Sequence, residues 1–136
     1  MLYLTRREVF CASHRLYNEK FNDDENLKIF GKCSNPNGHG HNYVLEVVVR
    51  GKIDPETGYV IDLKILKKII RENVIDKVDH KNLNVDVDFM HGVNPTAENI
   101  AIGIWKQLEN KIPSCELYSV KLYETENNYV EYRGRE

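Results

Sequence analysis

The run Tyr43-Val-Leu-Glu-Val-Val-Val49 commits its part of the chain to a β-sheet, because five of its seven residues are β-branched or aromatic. Such side chains fit a pleated, half-buried surface. The elements around it decide what kind of sheet forms. Tyr3 to His14 is strand-like, with no helical period, and Glu116–Thr125 and Tyr129–Arg133 read as two more strands joined through Glu126-Asn127-Asn128. Asp54-Pro-Glu-Thr-Gly58 is turn chemistry, and Tyr59-Val-Ile restarts a strand, so residues 42–61 predict a β-hairpin. Asn18 to Lys28 is polar and aperiodic, which predicts a solvated loop.

Two helices then follow in succession. Asp62 is a suitable N-cap for a stripe of Leu66, Ile69, Ile70, Asn73, Val74 and Lys77 running to about Val78. Thr96 caps a second stripe of Ile100, Ala101, Ile104, Trp105 and Leu108, which Pro113 stops. The order β-β-β-α-α-β-β lacks the alternation of a parallel sheet. It predicts an α+β fold over residues 1–136, one domain with an antiparallel sheet and two helices packed on one face. The sheet edges left over make pairing with neighbouring subunits a natural solution.

Composition removes several functions. Nineteen Lys plus Arg against 21 Asp plus Glu give a net charge of -2, which offers no general basic surface for nucleic acid. No apolar run is long enough for a membrane span, and the first residues lack the apolar core of a signal peptide. A soluble, cytoplasmic protein is expected. Its three cysteines cannot all pair and form no C-x-x-C motif. Cys11 and Cys115 sit in strand-like runs and read as small buried hydrophobes. Cys33 instead lies in the polar stretch Gly31-Lys-Cys-Ser-Asn-Pro-Asn-Gly38, where burial does not explain a thiol.

Chemistry concentrates at a few positions. In Gly38-His39-Gly40-His41 the two imidazoles share one face of an extended backbone, and the glycines keep other side chains from crowding them. An antiparallel neighbour could bring His14 beside them. Three histidines with no fourth protein ligand match a catalytic zinc site with an open position; the alternative is a pair of exposed strand histidines. Asp79-His80 suits a proton relay, or is an ordinary loop pair. Glu124 shares a strand face with Val120 and Leu122, so it either points inward, where it needs a partner with parallel N–H donors, or is a solvated strand end. Cys33, close to a metal, could act as a base or nucleophile. His91 reads as an exposed loop residue.

Together these segments resemble the 6-pyruvoyl-tetrahydropterin synthase family and its sister, 6-carboxy-tetrahydropterin synthase. The resemblance rests on Ala12-Ser-His-Arg-Leu16, Cys33-Ser-Asn-Pro-Asn-Gly-His-Gly-His-Asn-Tyr43, Asp79-His-Lys-Asn-Leu83, Pro95-Thr-Ala-Glu-Asn99 and Tyr123-Glu-Thr-Glu-Asn127. It implies the tunnelling fold, in which trimers close a β-barrel, two trimers stack into a homohexamer, and active sites lie between subunits. It implies His14, His39 and His41 as zinc ligands, Cys33 as general base, and Asp79 with His80 as relay. Glu124 would anchor the pterin edge, with Thr96 and Glu98 completing the pocket. The implied reaction turns 7,8-dihydroneopterin triphosphate into 6-pyruvoyl-tetrahydropterin by triphosphate elimination and internal redox, with no nicotinamide.

The five residues between Cys33 and His39 match pyruvoyl-forming enzymes, whereas Ala97 resembles bacterial homologues. The sister activity of queuosine biosynthesis, giving 6-carboxy-tetrahydropterin and acetaldehyde, is therefore the main alternative. A non-catalytic pterin-binding protein and a zinc hydrolase are the others.

Overall fold

Two long strands, β1 (Leu2–His14) and β2 (His39–Gly51), form the spine of the computed structural model, which describes residues 1–135. Glu136, the last residue of the single domain expected over 1–136, lies outside them. The two strands pair antiparallel without a break, from Leu2 opposite Gly51 to His14 opposite His39. On the other side of β2 lies β4 (Glu116–Thr125), and β5 (Asn128–Tyr132) pairs with β4 in turn. A two-residue strand, β3 (Lys81–Asn82), runs parallel to β1 beside Ala12 and Ser13. The sheet order is β3-β1-β2-β4-β5, so the α+β reading holds, with a short parallel edge added.

Strand alternation divides the sheet into two faces. Phe10 and Ala12 of β1, Tyr43, Leu45, Val47 and Val49 of β2, and Val120 and Leu122 of β4 point into one core. That face is covered by α2 (Leu63–Ile70) and α4 (Ala97–Leu108), whose Leu66, Ile70, Ile100, Ile104 and Leu108 are completely buried. Asp62 caps α2 through the Lys64 N–H, and Thr96 caps α4 through the Asn99 N–H. After Ile70 the helix widens into a π turn over Arg71–Ile75 and closes with α3 (Asp76–Val78). Among the described residues no helix is long and apolar enough to cross a membrane.

Four local expectations are corrected. From within the polar stretch 18–28 starts α1 (Asp23–Phe30), an exposed helix held by a reciprocal capping box between Asn22 and Glu25. Its charged surface hides the apolar period. Tyr59-Val-Ile is not a strand: the chain turns at Asp54–Gly58, and Val60 and Ile61 are buried on the way into α2. Cys11 is exposed, because odd positions of β1 face away from the helices, and Cys115 is only half-buried. The second helix ends at Leu108, with Asn110 in the left-handed region, before Pro113 is reached.

Candidate metal centre and active site

The end of the β1–β2 ladder brings three imidazoles together on the core face. His14 faces His39 across the strands, and Ala12 faces His41, which places His39 and His41 two residues apart on the same side. One ring nitrogen from each of His14, His39 and His41 lies within 4.8 Å of the other two. His14 is fully buried. Its Nδ1 lies 2.8 Å from the Pro95 carbonyl, which can only accept, so Nδ1 carries the proton and donates. That leaves Nε2 with its lone pair, 3.1 Å from Nε2 of His39. Burial, the strongest influence on His14 and on His41, pushes both below the ordinary histidine value and keeps them neutral.

These residues fit a divalent metal. Nε2 of His41 is buried and without a hydrogen-bond partner; Oε1 of Glu124 lies 3.3 Å away, within ion-pair range but outside hydrogen-bonding geometry. A buried nitrogen left without a partner is unfavourable. Three convergent ring nitrogens, one of them without a partner, are what a Lewis-acidic ion would satisfy. The surrounding backbone is built closely around this point. Gly38 has a φ of +71° and a Cβ there would stand 2.8 Å from the His14 carbonyl oxygen, so any side chain would collide. Gly40 differs from the sequence expectation: a Cβ there would make an ordinary 3.5 Å contact with the Ala12 oxygen, so crowding does not demand glycine.

Glu124 follows Val120 and Leu122 on the inward face and is half-buried against His41. A cleft of about 270 Å³ opens from it toward Ala97, Glu98, Leu122 and Tyr129, joining the strand to the start of α4. Thr96 stands at this helix start with its hydroxyl engaged by Asn99 N–H at 3.2 Å. Cys33 lies in a 3₁₀ turn over Gly31–Ser34. That turn is tied to the chain just beyond β1: Leu16 N–H donates to the Cys33 carbonyl at 2.8 Å, and Arg15 Nε donates to the Ser34 carbonyl at 2.8 Å. Tyr43, which the sequence reading missed, is fully buried with its hydroxyl 3.3 Å from His14 Nδ1. Burial drives its phenol far above the ordinary tyrosine value, and the charges of Glu124 and then Cys33 add to the rise. The signal was available, since Tyr43 follows His41 by two on the same strand face.

Asp79 and His80 lie elsewhere, along the edge of β1. Asp79 Oδ1 accepts from Cys11 N–H at 2.9 Å, and His80 N–H donates to the Cys11 carbonyl at 2.6 Å. His80 takes a left-handed φ of 61°, and its side chain is 81% exposed with Nδ1 3.1 Å from Asp79 Oδ1. The Cys11 hydrogen bond is the main reason Asp79 titrates below the usual carboxylate range, with His80 adding to it. Among the described residues, no hydrogen bond links this pair to Cys33 or to the histidine cluster. His91 is exposed at the end of a short 3₁₀ turn, as expected.

The chain is also similar to known proteins along nearly its whole length. Residues 3–135 match the family model described as 6-pyruvoyl tetrahydropterin synthase. A 6-pyruvoyl tetrahydrobiopterin synthase of Pongo abelii is 54% identical over 131 residues, covering 96% of this chain and 90% of the relative. A 6-carboxy-5,6,7,8-tetrahydropterin synthase of Rickettsia typhi is 32% identical over 96% of this chain and 99% of its own length. Among solved structures, the 6-pyruvoyl tetrahydropterin synthase of Caenorhabditis elegans superimposes with a TM-score of 0.92. It is 46% identical and covers 98% of this chain and 96% of its own.

Proposed function

The chain belongs to the 6-pyruvoyl tetrahydropterin synthase family, and from that premise we propose that it converts 7,8-dihydroneopterin triphosphate to 6-pyruvoyl-tetrahydropterin, a lyase reaction with internal redox. The observation that carries this reading is the convergence of the three histidine nitrogens beside Glu124, with the Cys33 turn tied to the end of β1. His14, His39 and His41 would hold zinc, which suits an all-imidazole set with open positions. Bound there, the ion supplies Lewis-acid polarisation of the substrate's side-chain hydroxyls.

The remaining roles fall to the chain's own groups. The Glu124 carboxylate accepts the parallel 2-amino and N3–H donors of the pterin ring, a charge-assisted bidentate contact that fixes the ring's orientation. Glu98 and Thr96 shape the cleft at the start of α4. Cys33 takes the side-chain proton. Asp79 holds His80 in orientation, and the pair receives and returns protons.

Because that pair sits on the β1 edge, we assign it to the site of an adjoining chain in a cytoplasmic homohexamer of two trimers. Pairing the stretch of β1 that the short β3 leaves uncovered with β5 of the next chain would cover the open edges on both sides of the sheet.

The 54% against 32% identity to the two kinds of relative favours the pyruvoyl product over the carboxy one. The test is mass spectrometry of products from metal-loaded protein and 7,8-dihydroneopterin triphosphate, with no reductant added. Triphosphate with the 6-pyruvoyl product is expected. A 6-carboxy product with acetaldehyde would overturn the product assignment, and no triphosphate release would overturn the enzyme assignment.

A further inference from the structure

The opposite end of the β1–β2 ladder carries a second organised cluster, on the sheet face away from the helices. Tyr3 and Arg50 face each other there, and Glu116 of β4 stands beside Arg50. Between Val48 and Val49 the β2–β4 register shifts: Ser119 pairs with Val48 and Leu117 with Val49, leaving Tyr118 as the extra residue of a β-bulge. Bulges re-aim side chains. This one turns the Tyr118 ring against Tyr3 at 4.8 Å in an edge-to-face contact, with Arg50 and Arg133 over the ring at 5.0 and 5.1 Å.

From this geometry we propose that Arg50 and Arg133, arranged around Tyr118, and Arg135 beside them form a binding site for a small oligophosphate anion, separate from the histidine cluster of the same chain. Arg50, Glu116, Leu117, Tyr118, Arg133 and Arg135 line a cavity of about 410 Å³. Three guanidinium groups against one carboxylate leave that lining with a formal excess of two positive charges. Eleven ladder positions separate Tyr3 from His14, roughly 37 Å at about 3.4 Å per residue, so one small ligand cannot span both clusters of the same chain.

Arg50 and Arg133 are held in place before any ligand arrives. Arg50 donates from Nε and Nη2 to the two oxygens of Glu116 at 3.0 and 3.3 Å, and Arg133 Nη2 lies 3.4 Å from Oε1 of Glu131. Cation–π contact with the Tyr118 ring steadies both guanidinium groups without consuming any N–H donor, which leaves donors for phosphate oxygens. A fixed fork of donors loses less side-chain entropy on binding than free lysines would. Tyr3 is half exposed beside the cavity, and its ring could also meet a nucleobase. Bare oligophosphate and nucleotide therefore share the chemistry recognised here.

The test titrates inorganic phosphate, pyrophosphate and ATP into metal-loaded protein by calorimetry at low salt, for wild type, Arg133→Gln and Glu116→Gln. Pyrophosphate and ATP should bind about tenfold or more tightly than phosphate, and weaken as salt rises. Arg133→Gln should weaken them by about fivefold or more, through loss of one charge-assisted donor. Glu116→Gln should tighten them severalfold, since it removes the opposing carboxylate and keeps every arginine; a merely damaged fold would not produce that sign. Equal affinity for pyrophosphate and ATP identifies bare oligophosphate, and tighter ATP identifies a nucleotide. Turnover should stay at the wild-type level in both variants. Absence of saturable binding, or wild-type affinity in both variants, would overturn the site.

Discussion

Near the C-terminal end of β1 the chain holds two sets of reactive side chains under opposite conditions. His14, His39 and His41 project from the core face, where strand register alone brings them together and burial pushes His14 and His41 below the ordinary histidine value. Asp79 and His80 hang on the backbone of Cys11 at the sheet edge, where His80 is 81% exposed and makes no contact with the first set by hydrogen bond. One chain alone can preorganise the first set but not the second. A packed sheet face fixes three ligands without help, because each side chain's direction follows from its parity along a strand. An edge offers only backbone groups, so a pair bound there acts wherever an adjoining surface receives it.

Metal content should divide the two sets most strongly. His41→Ala should lower bound metal well below one ion per chain and reduce turnover by about a thousandfold or more, because two imidazoles are a poor zinc site. His80→Ala should keep its metal yet lose about a hundredfold or more in kcat, the scale of a general acid–base group. Elemental analysis beside steady-state kinetics reads both. Metal loss in His80→Ala would erase the distinction, since the exposed pair would then be part of the metal centre.

Mixing two impaired chains tests whether the edge pair serves an adjoining subunit. Cys33→Ala and His80→Ala proteins should each be impaired by about a hundredfold or more alone. After joint unfolding and reassembly at equal ratio, sites that draw Cys33 from one chain and His80 from another should regain about a quarter of wild-type turnover, the random share in a symmetric oligomer. No recovery would place both residues of each site in a single chain.

Legibility in the sequence followed the same division. Where side-chain direction is set by strand parity, residues sufficed: His39 and His41 on one face, His14 opposite, and Glu124 in line with Val120 and Leu122. Thr96 was readable as a cap because its hydroxyl answers a local backbone donor. What depended on tertiary contact was not readable. The docking of residues 79–82 along β1, the left-handed backbone at His80 and the π turn at Arg71–Ile75 have no short-range signal. The helix at Asp23–Phe30 did have one, Asn22 followed three residues later by Glu25, but its exposed surface carries too little apolar period to reveal it.

The smallest effect concerns how the edge pair is held. The Cys11 N–H, foremost, keeps the Asp79 carboxyl below its usual range. A depressed folded value means that the ionised carboxylate contributes stability above the unfolded value, near pH 4, and loses it as pH falls through the folded value. Asp79→Asn keeps an oxygen for the Cys11 N–H but loses the charge. It should therefore melt below wild type at neutral pH, and the gap should close as both are acidified toward pH 3. Asp79 is more than a third exposed, so solvent screening limits the difference to about 1 kcal/mol or less. Thermal melts of both proteins across pH 3 to 7 would show it. A gap that persists unchanged at the acid end would mean that the carboxylate's charge does not hold the pair to β1, and that the amide's shape or hydrogen bonding is what differs.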